Sequence, residues 1–469
     1  MKSLTRILAL ALILAFVLSA CGGGATPTAQ PAAPAEPVEP AQTEAAMPAE
    51  TEAPQPVEPA ATEPPAAVEP VTVTVLAMEQ AGPTVEEMNA IVEEFNQANP
   101  NVKVMIDYVA YDALHDKITT ALASTPPAYD VFLVDDIWFA EFADKGYLLD
   151  ITDRVPAGTK GGIFTAAWEV SEVAGTVYGM PWLLDQKYFF YNEDILTQAG
   201  FSTPPKTWEE LIEQSKVIKE KGIVEYPIVW SWGQYEAAIC DWVTLLFGNG
   251  GTLVDDQGNP SFNNEIGVKT LDWMLQTIDD GITNPASVSY VEEDVRNVFS
   301  QGQAAFALNW NYMYDLANNQ ADQSQITGKV KVALMPAFAE GGMDSATIDG
   351  SMGIGIAATS PNADAAWGYV EYLTSKDVQD RYSAHMLPVW ETSFEGESGE
   401  KLASTSPVTE VMVPMFQEQF PYSHVRPKVP FYPEASKALQ LALQKALTKQ
   451  ASSADALNEA AATWTELMK

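Results

Sequence analysis

Cysteine and histidine are scarce in this 469-residue chain, with Cys21 and Cys240 the only thiols and His115, His385 and His424 the only imidazoles. The histidines lie far apart and have no metal-ligand spacing, so a zinc-type site is not expected. No Gly-x-Ser-x-Gly elbow occurs, which removes the α/β-hydrolase signature. Basic residues are also few: 25 Lys and Arg stand against 63 Asp and Glu, for a formal net charge of −38. Phosphate backbones need clustered Lys and Arg, so nucleic acid is excluded as a partner. The glycines of "GSMGIGIA", Gly350 to Ala357, read as a turn and a strand with no helix start behind them, which argues against a nucleotide loop. No cofactor, no metal and no catalytic residue is expected. The composition, 47% hydrophobic and 19% charged, suits a globular protein, and the length exceeds one ordinary core, so two lobes are expected.

Long apolar runs are missing as well. "ILALALILAFV", Ile7 to Val17, is too short to span a bilayer comfortably. It follows the positive Lys2 and Arg6 and leads into "LSAC", Leu18 to Cys21, which resembles a bacterial lipoprotein signal. That reading makes residues 1–20 a signal peptide and Cys21 the lipidated first residue of the mature chain. More than one acyl chain on that residue would give stable attachment. An ordinary secretory signal and an uncleaved anchor are the alternatives. Residues 21–70 then form a tether of Ala, Pro, Glu, Thr and Gln without Lys, Arg or any aromatic residue. Such a segment cannot bury enough apolar surface to fold and is expected to be disordered. At full polyproline II extension it reaches about 150 Å. The expected location is extracytoplasmic, on the outer face of the cell membrane, or on the periplasmic side where an outer membrane exists.

From Val71 the pattern changes to alternation. "VTVTVLAMEQ" reads as a strand, and "TVEEMNAIVEEFNQANP" as a helix with a Thr84–Glu87 capping box. Val85, Met88, Ile91, Val92 and Phe95 share one face of that helix. "NVKVMIDYV" is a second strand, and "YDVFLVDDIWFAEFADKG" a third running into a helix. This succession predicts an α/β fold with a mostly parallel open sheet, in which ligands sit at the carboxyl ends of strands. That places Glu79, Asp135 and Trp138 at a prospective site. Further along, "YPIVWSW" reads as a short strand opening into a loop, and "EAAICDWVTLLFGNGG" as a helix closed by glycines. "VDDQGNPSFN" reads as a hairpin, and the tail from Glu434 as helical. Thr207 and Glu210 suggest a second capping box, and Cys240 a buried structural thiol.

Several ordered segments carry a family resemblance: "YDVFLVDDIWFAEFADKGYLLDIT", "VYGMPWLLDQKYFFYNEDILTQAGFSTPPKTWEEL", "GQAAFALNW" and "GSMGIGIAATSPNADAAWGYVEYLTS". From Val71 to its C-terminus the chain resembles the extracellular solute-binding proteins of carbohydrate ABC importers, of the maltodextrin-binding type. "WSWGQYEAAICDW" looks most like the branch that binds trehalose, maltose and related α-glucosides. The resemblance implies a two-lobed type II periplasmic-binding-protein fold with discontinuous lobes, residues 71–182 with 346–393 and residues 183–345 with 394–469. A hinge between them would close the lobes over a sugar. A membrane permease is the implied partner, and a monomer is expected.

A pyranose presents an apolar C–H face and a rim of hydroxyls, which suits flat rings beside carboxylates. Trp230, Trp232, Tyr235 and Glu236 offer that mixture in one stretch, as do Asp135 with Trp138, Trp182 with Asp185, and Trp310 with Tyr312. The resemblance adds Arg426 and the turn at Gly350 and Ser351, whose backbone amides are expected to reach the ligand. Met352 stands where relatives often have tryptophan, so Trp390 or Tyr432 is expected to supply the missing surface. Two other readings compete: the same fold with a polyamine, peptide or other non-sugar solute, or serving a sensor or adhesin, and a glycosidase built on paired carboxylates.

Overall fold

The computed structural model describes residues 69–79 and 81–469; the expected signal peptide, Cys21 and the expected tether up to residue 68 lie outside the described residues. Two sheets organise the fold. The first has the order β2-β1-β3-β9-β4, made of β1 (Val71–Met78), β2 (Val102–Val109), β3 (Val131–Asp135), β4 (Gly179–Leu183) and β9 (Met352–Ile356). The second has the order β8-β5-β7-β6, made of β5 (Tyr188–Asn192), β6 (Ile228–Val229), β7 (Phe306–Asn309) and β8 (Val330–Ala333). In the first sheet β1 runs parallel to β2 and β3, and only β9 opposes its neighbours. In the second only β5 does. Each reversed strand follows a crossing from one sheet to the other, which delivers the chain at the opposite end. β3 is buried along its whole length, as its unbroken apolar run requires of a strand covered on both faces.

The helices that bear on the site and its surroundings are α1 (Val85–Ala98), α2 (Tyr111–Leu122), α3 (Trp208–Glu220), α4 (Glu236–Gly248), α5 (Glu292–Ser300), α6 (Tyr312–Asn318), α7 (Tyr432–Leu447) and α8 (Ser453–Leu467), of which α2, α4, α5 and α6 line the cavity described below. The capping box of α1 is complete: Glu87 N–H donates to Thr84 Oγ1 and Thr84 N–H to Glu87 Oε2. That of α3 is half formed, because Thr207 accepts from Glu210 N–H while the Glu210 carboxylate takes the amide of Lys206. The hairpin at Val254–Pro260 is present, its turn held by Asp255 accepting from the amides of Gln257 and Asn259.

Three crossovers run side by side between the sheets. The pair Thr347–Ile348 lies parallel to Ser423–His424, and Gln186 bridges to Asp349. Lys187 N–H donates to Ile348 C=O at 3.2 Å and Asp349 N–H to His424 C=O at 2.7 Å. The two lobes therefore meet at a laced strip of backbone, with the cleft opening beside it.

Trp230 and Trp232 are fully buried and stacked on each other at 5.0 Å, with Trp208 against Trp230. The expectation that they face a ligand is corrected. The polar residues between and after them serve an internal ion pair: Lys187 Nζ meets Asp241 Oδ1 at 2.5 Å, and Ser231 donates to the same carboxylate. A buried pair needs its remaining lone pairs satisfied, so this part of the core has a polar sequence.

Candidate functional site

A cavity of about 270 Å³ lies where strand ends and helix starts converge from both sheets. The first sheet contributes Met78, Tyr111, Asp112 and Asp135, each at or just past the end of a strand. Tyr235, Glu236 and Cys240 come from the start of α4, Glu292 and Glu293 from the start of α5, and Trp310 and Tyr312 from the turn after β7. The crossovers add Asp185, Gly350 and Arg426, with Leu183 and Met352 as apolar neighbours.

Trp310 presents a half-buried indole to the cavity, and its placement is over-determined. Its Nε1–H donates to Glu292 Oε1 at 3.2 Å, and Lys187 Nζ lies 5.3 Å from its ring centroid. A Cβ added to Gly350 would stand 2.4 Å from Trp310 Cζ3, so only glycine lets the ring lie there. Tyr235 O–H also donates to Glu292, and Tyr312 O–H to Glu293 Oε1 at 2.7 Å. Opposite, Tyr111 O–H donates to Asp135 Oδ2 at 2.8 Å.

Arg426 is a buried hub. It reaches Asp136 at 2.7 Å, Glu236 at 3.0 Å and Asp135 at 3.4 Å, and donates to the Asp349 carbonyl. Asp136 is therefore an internal ion-pair partner and more than a charge at a helix start. Tyr432 and Ser436 complete the shell of Glu236. Burial pushes Asp135 well above the usual carboxylate range, against the pull of Arg426. Burial also pushes Asp185 up to about 8; its carboxylate accepts the Gln186 amide and has no cation partner. Cys240 is buried and free as expected, burial pushing its thiol up to about 12, but it also borders the cavity beside Arg426.

Of the residues singled out from sequence, Asp135, Asp185, Tyr235, Glu236, Trp310, Tyr312, Gly350 and Arg426 meet on this cavity. Six others do not, besides the two stacked tryptophans. Glu79 is exposed at the end of β1 and turned toward Tyr108. Trp138 is core, stacked behind Tyr111 at 5.5 Å. Trp182 is buried under the loop after β1, its Nε1–H donating to Ala81 C=O. Ser351 is buried, and its hydroxyl holds Asp349 and the Asp185 amide. The amides of Gly350 and Ser351 already donate to Asp185 C=O and Asp349 Oδ1, so they do not await a ligand. Trp390 packs on Gly162 and donates to Thr374 C=O, and Tyr432 stands behind Glu236, so neither replaces the ring missing at Met352. That aromatic surface comes instead from Tyr111 and Tyr235. Tyr111 and Asp112 follow β2 directly, where the strand-end rule would have found them. Glu292 and Glu293 look like ordinary first-turn acids, and nothing in the sequence distinguishes them.

At one lip His385 joins the two sheets' helices. Its Nε2 lies 3.0 Å from Asp315 Oδ2 in α6, and its Nδ1 3.1 Å from Glu87 Oε2 in α1, the second contact being poorly aligned and so chiefly Coulombic. Burial alone would lower the imidazole, but the bond to Asp315 and the nearby charges of Glu87 and Asp315 outweigh it and hold His385 at about 9. A folded value above the unfolded one, near 6.5, means that the contribution is complete below that pH. It is lost as pH rises through about 9. The melting temperature should therefore fall between pH 6.5 and 9, and His385→Asn should flatten that dependence, by up to about 3 kcal/mol. An unchanged slope in the variant would refute the clasp.

Comparison with known proteins agrees with this geometry. The chain is 34% identical over 260 residues to a probable ABC transporter-binding protein of Deinococcus radiodurans, covering 54% of this chain and 60% of that one. It thus spans less than two thirds of that relative. The maltose-bound MalE3 of T. maritima superposes with a TM-score of 0.77 at 30% identity, covering 85% of this chain and all of that one. A solute-binding protein of Thermotoga lettingae bound with α-D-tagatose gives a TM-score of 0.76 at 26% identity, with the same coverage of both chains. The α/β architecture with two lobes is that of these binding proteins. Residues 81–380 match the bacterial extracellular solute-binding protein family, and the chain belongs to it.

Proposed function

We propose that the protein captures a sugar between its two lobes and delivers it to the membrane permease of an ABC importer. The observation that carries this reading is the partly buried Trp310 ring, locked in place on a cavity that also presents three tyrosines and six carboxyl groups among apolar residues. A ring covers the C–H face of a pyranose and the carboxylates accept from its hydroxyls. The maltose and tagatose held by the two similar structures support the same ligand class. Lobe boundaries at 71–182 with 346–393 and 183–345 with 394–469 accord with the distribution of strands between the sheets. Ligand would draw the lobes together, because only the closed arrangement makes both sets of contacts. Cys21 anchors the chain to the membrane by lipid in this reading, and the Cys21→Ser variant should appear in soluble fractions; retention in the membrane would count against it.

The test of ligand class is a thermal-shift panel of α-glucosides, β-glucosides, xylosides and pentoses on the full chain, with spermidine and a short peptide as controls. A ligand that binds only the folded state raises the melting temperature by mass action. Shifts by one sugar series, without released product, are expected. Shifts by spermidine or peptide alone would overturn the sugar assignment and leave the fold intact.

A further inference from the structure

The charge of the cavity is one-sided. Asp112, Asp135, Asp185, Glu236, Glu292 and Glu293 line it, against the single guanidinium of Arg426. Its charge is already committed. It is buried and shared among Asp135, Asp136 and Glu236, with a further bond to the Asp349 carbonyl, and its one unpartnered N–H, at Nε, is itself buried. The other nearby cation, Lys187, is fully buried and closed off by Asp241 and Ser231, with Trp310 between it and the cavity. Arg296 donates through Nε and Nη2 to Glu293 Oε2, both at 2.9 Å, and is held there. No cation lining this cavity is therefore available to a ligand anion, and an incoming carboxylate or phosphate would be desolvated without a counter-charge after passing Asp112 at the mouth. Burying a charge without a partner costs several kcal/mol. A hydroxyl meets no such penalty, since it donates to a carboxylate without adding charge.

We infer that the site is selective for uncharged sugars and excludes their acidic counterparts, the uronates and sugar phosphates of the same ring size. This rests on the sugar-capture reading and sharpens it. Asp112, exposed at the start of α2, guards the mouth, where it adds a negative charge that no neighbouring cation in the cavity cancels.

The experiment uses the full chain in mild detergent and titrates matched pairs: glucose with glucuronate, galactose with galacturonate, and a neutral disaccharide with its phosphate ester. The neutral member of a pair is expected to bind and the acidic member to bind about 100-fold more weakly. Asp112→Asn, which keeps shape and removes a charge, should narrow that ratio by roughly three-fold or more. A rejection based on size alone would not respond to this change. An acidic member binding as tightly as its neutral partner would overturn the inference and leave sugar capture standing. A panel in which only spermidine binds would overturn sugar capture, and with it the selection for neutral sugars.

Discussion

Replacing Arg426 by methionine is expected to destabilise the protein by about 3–5 kcal/mol, the usual result of removing one partner from a buried charged cluster. Asp135, Asp136 and Glu236 would be left facing one another in a site from which water is excluded. Their desolvation is offset at present by one guanidinium, and methionine supplies similar bulk without charge. In a body of this size the melting temperature should drop by about 5 °C. The effect should be partly reversed by adding Asp136→Asn, because one uncompensated charge is then gone; a double-mutant cycle measures the coupling. A single variant that melts like the parent would mean that the cluster already avoids its repulsion by holding protons. Because Arg426 joins Asp135, at the end of β3, to Glu236, at the start of α4, the same variant should alter the relation of the lobes as well as their stability.

The second large effect concerns ligand. Trp310→Ala should weaken sugar binding by about 2–3 kcal/mol, close to 100-fold, as for other buried aromatic anchors. The ring is held by Glu292 at its nitrogen, by Lys187 over its π system and by the absence of a side chain at Gly350. Little ordering entropy remains to be lost on binding, so most of the stacking appears as affinity. Gly350→Ala tests the same placement without touching the ring: a methyl group 2.4 Å from Cζ3 must push the indole into the cavity. Calorimetric titration of both variants should show weakened binding. Affinity equal to the parent in Trp310→Ala would remove this residue from the site.

Much of this was legible beforehand because it depends on local chemistry. The Thr84–Glu87 box, the apolar face at Met88, Ile91 and Phe95, and the run "VFLV" are short-range patterns, and each formed as read. The strand-end rule pointed to Asp135, which ends β3 on the cavity, since a parallel strand fixes where its last residue lies. The same rule misjudged Glu79, one residue beyond β1, where the chain has already turned outward. Tryptophan identity was a poor guide. Trp138, Trp182, Trp230, Trp232 and Trp390 are all packing residues, and Trp310 alone of the six nominated tryptophans lines the cavity.

The sequence by itself determined the class of fold, the order of its elements and the kinds of residue available to a sugar site, because propensity, periodicity and capping act within a few neighbours along the chain. Only the tertiary structure decided which of those residues meet. Three crossovers bring Asp185, Gly350 and Arg426 together from positions far apart in sequence, and the acids of α5 reach Trp310 only because β7 and α5 are packed side by side. Such contacts depend on sheet order and chain return, which no local window contains. The same long-range packing turned a polar, aromatic-rich stretch into the wall of a buried Lys187–Asp241 pair and left Trp310 as the indole that lines the cavity.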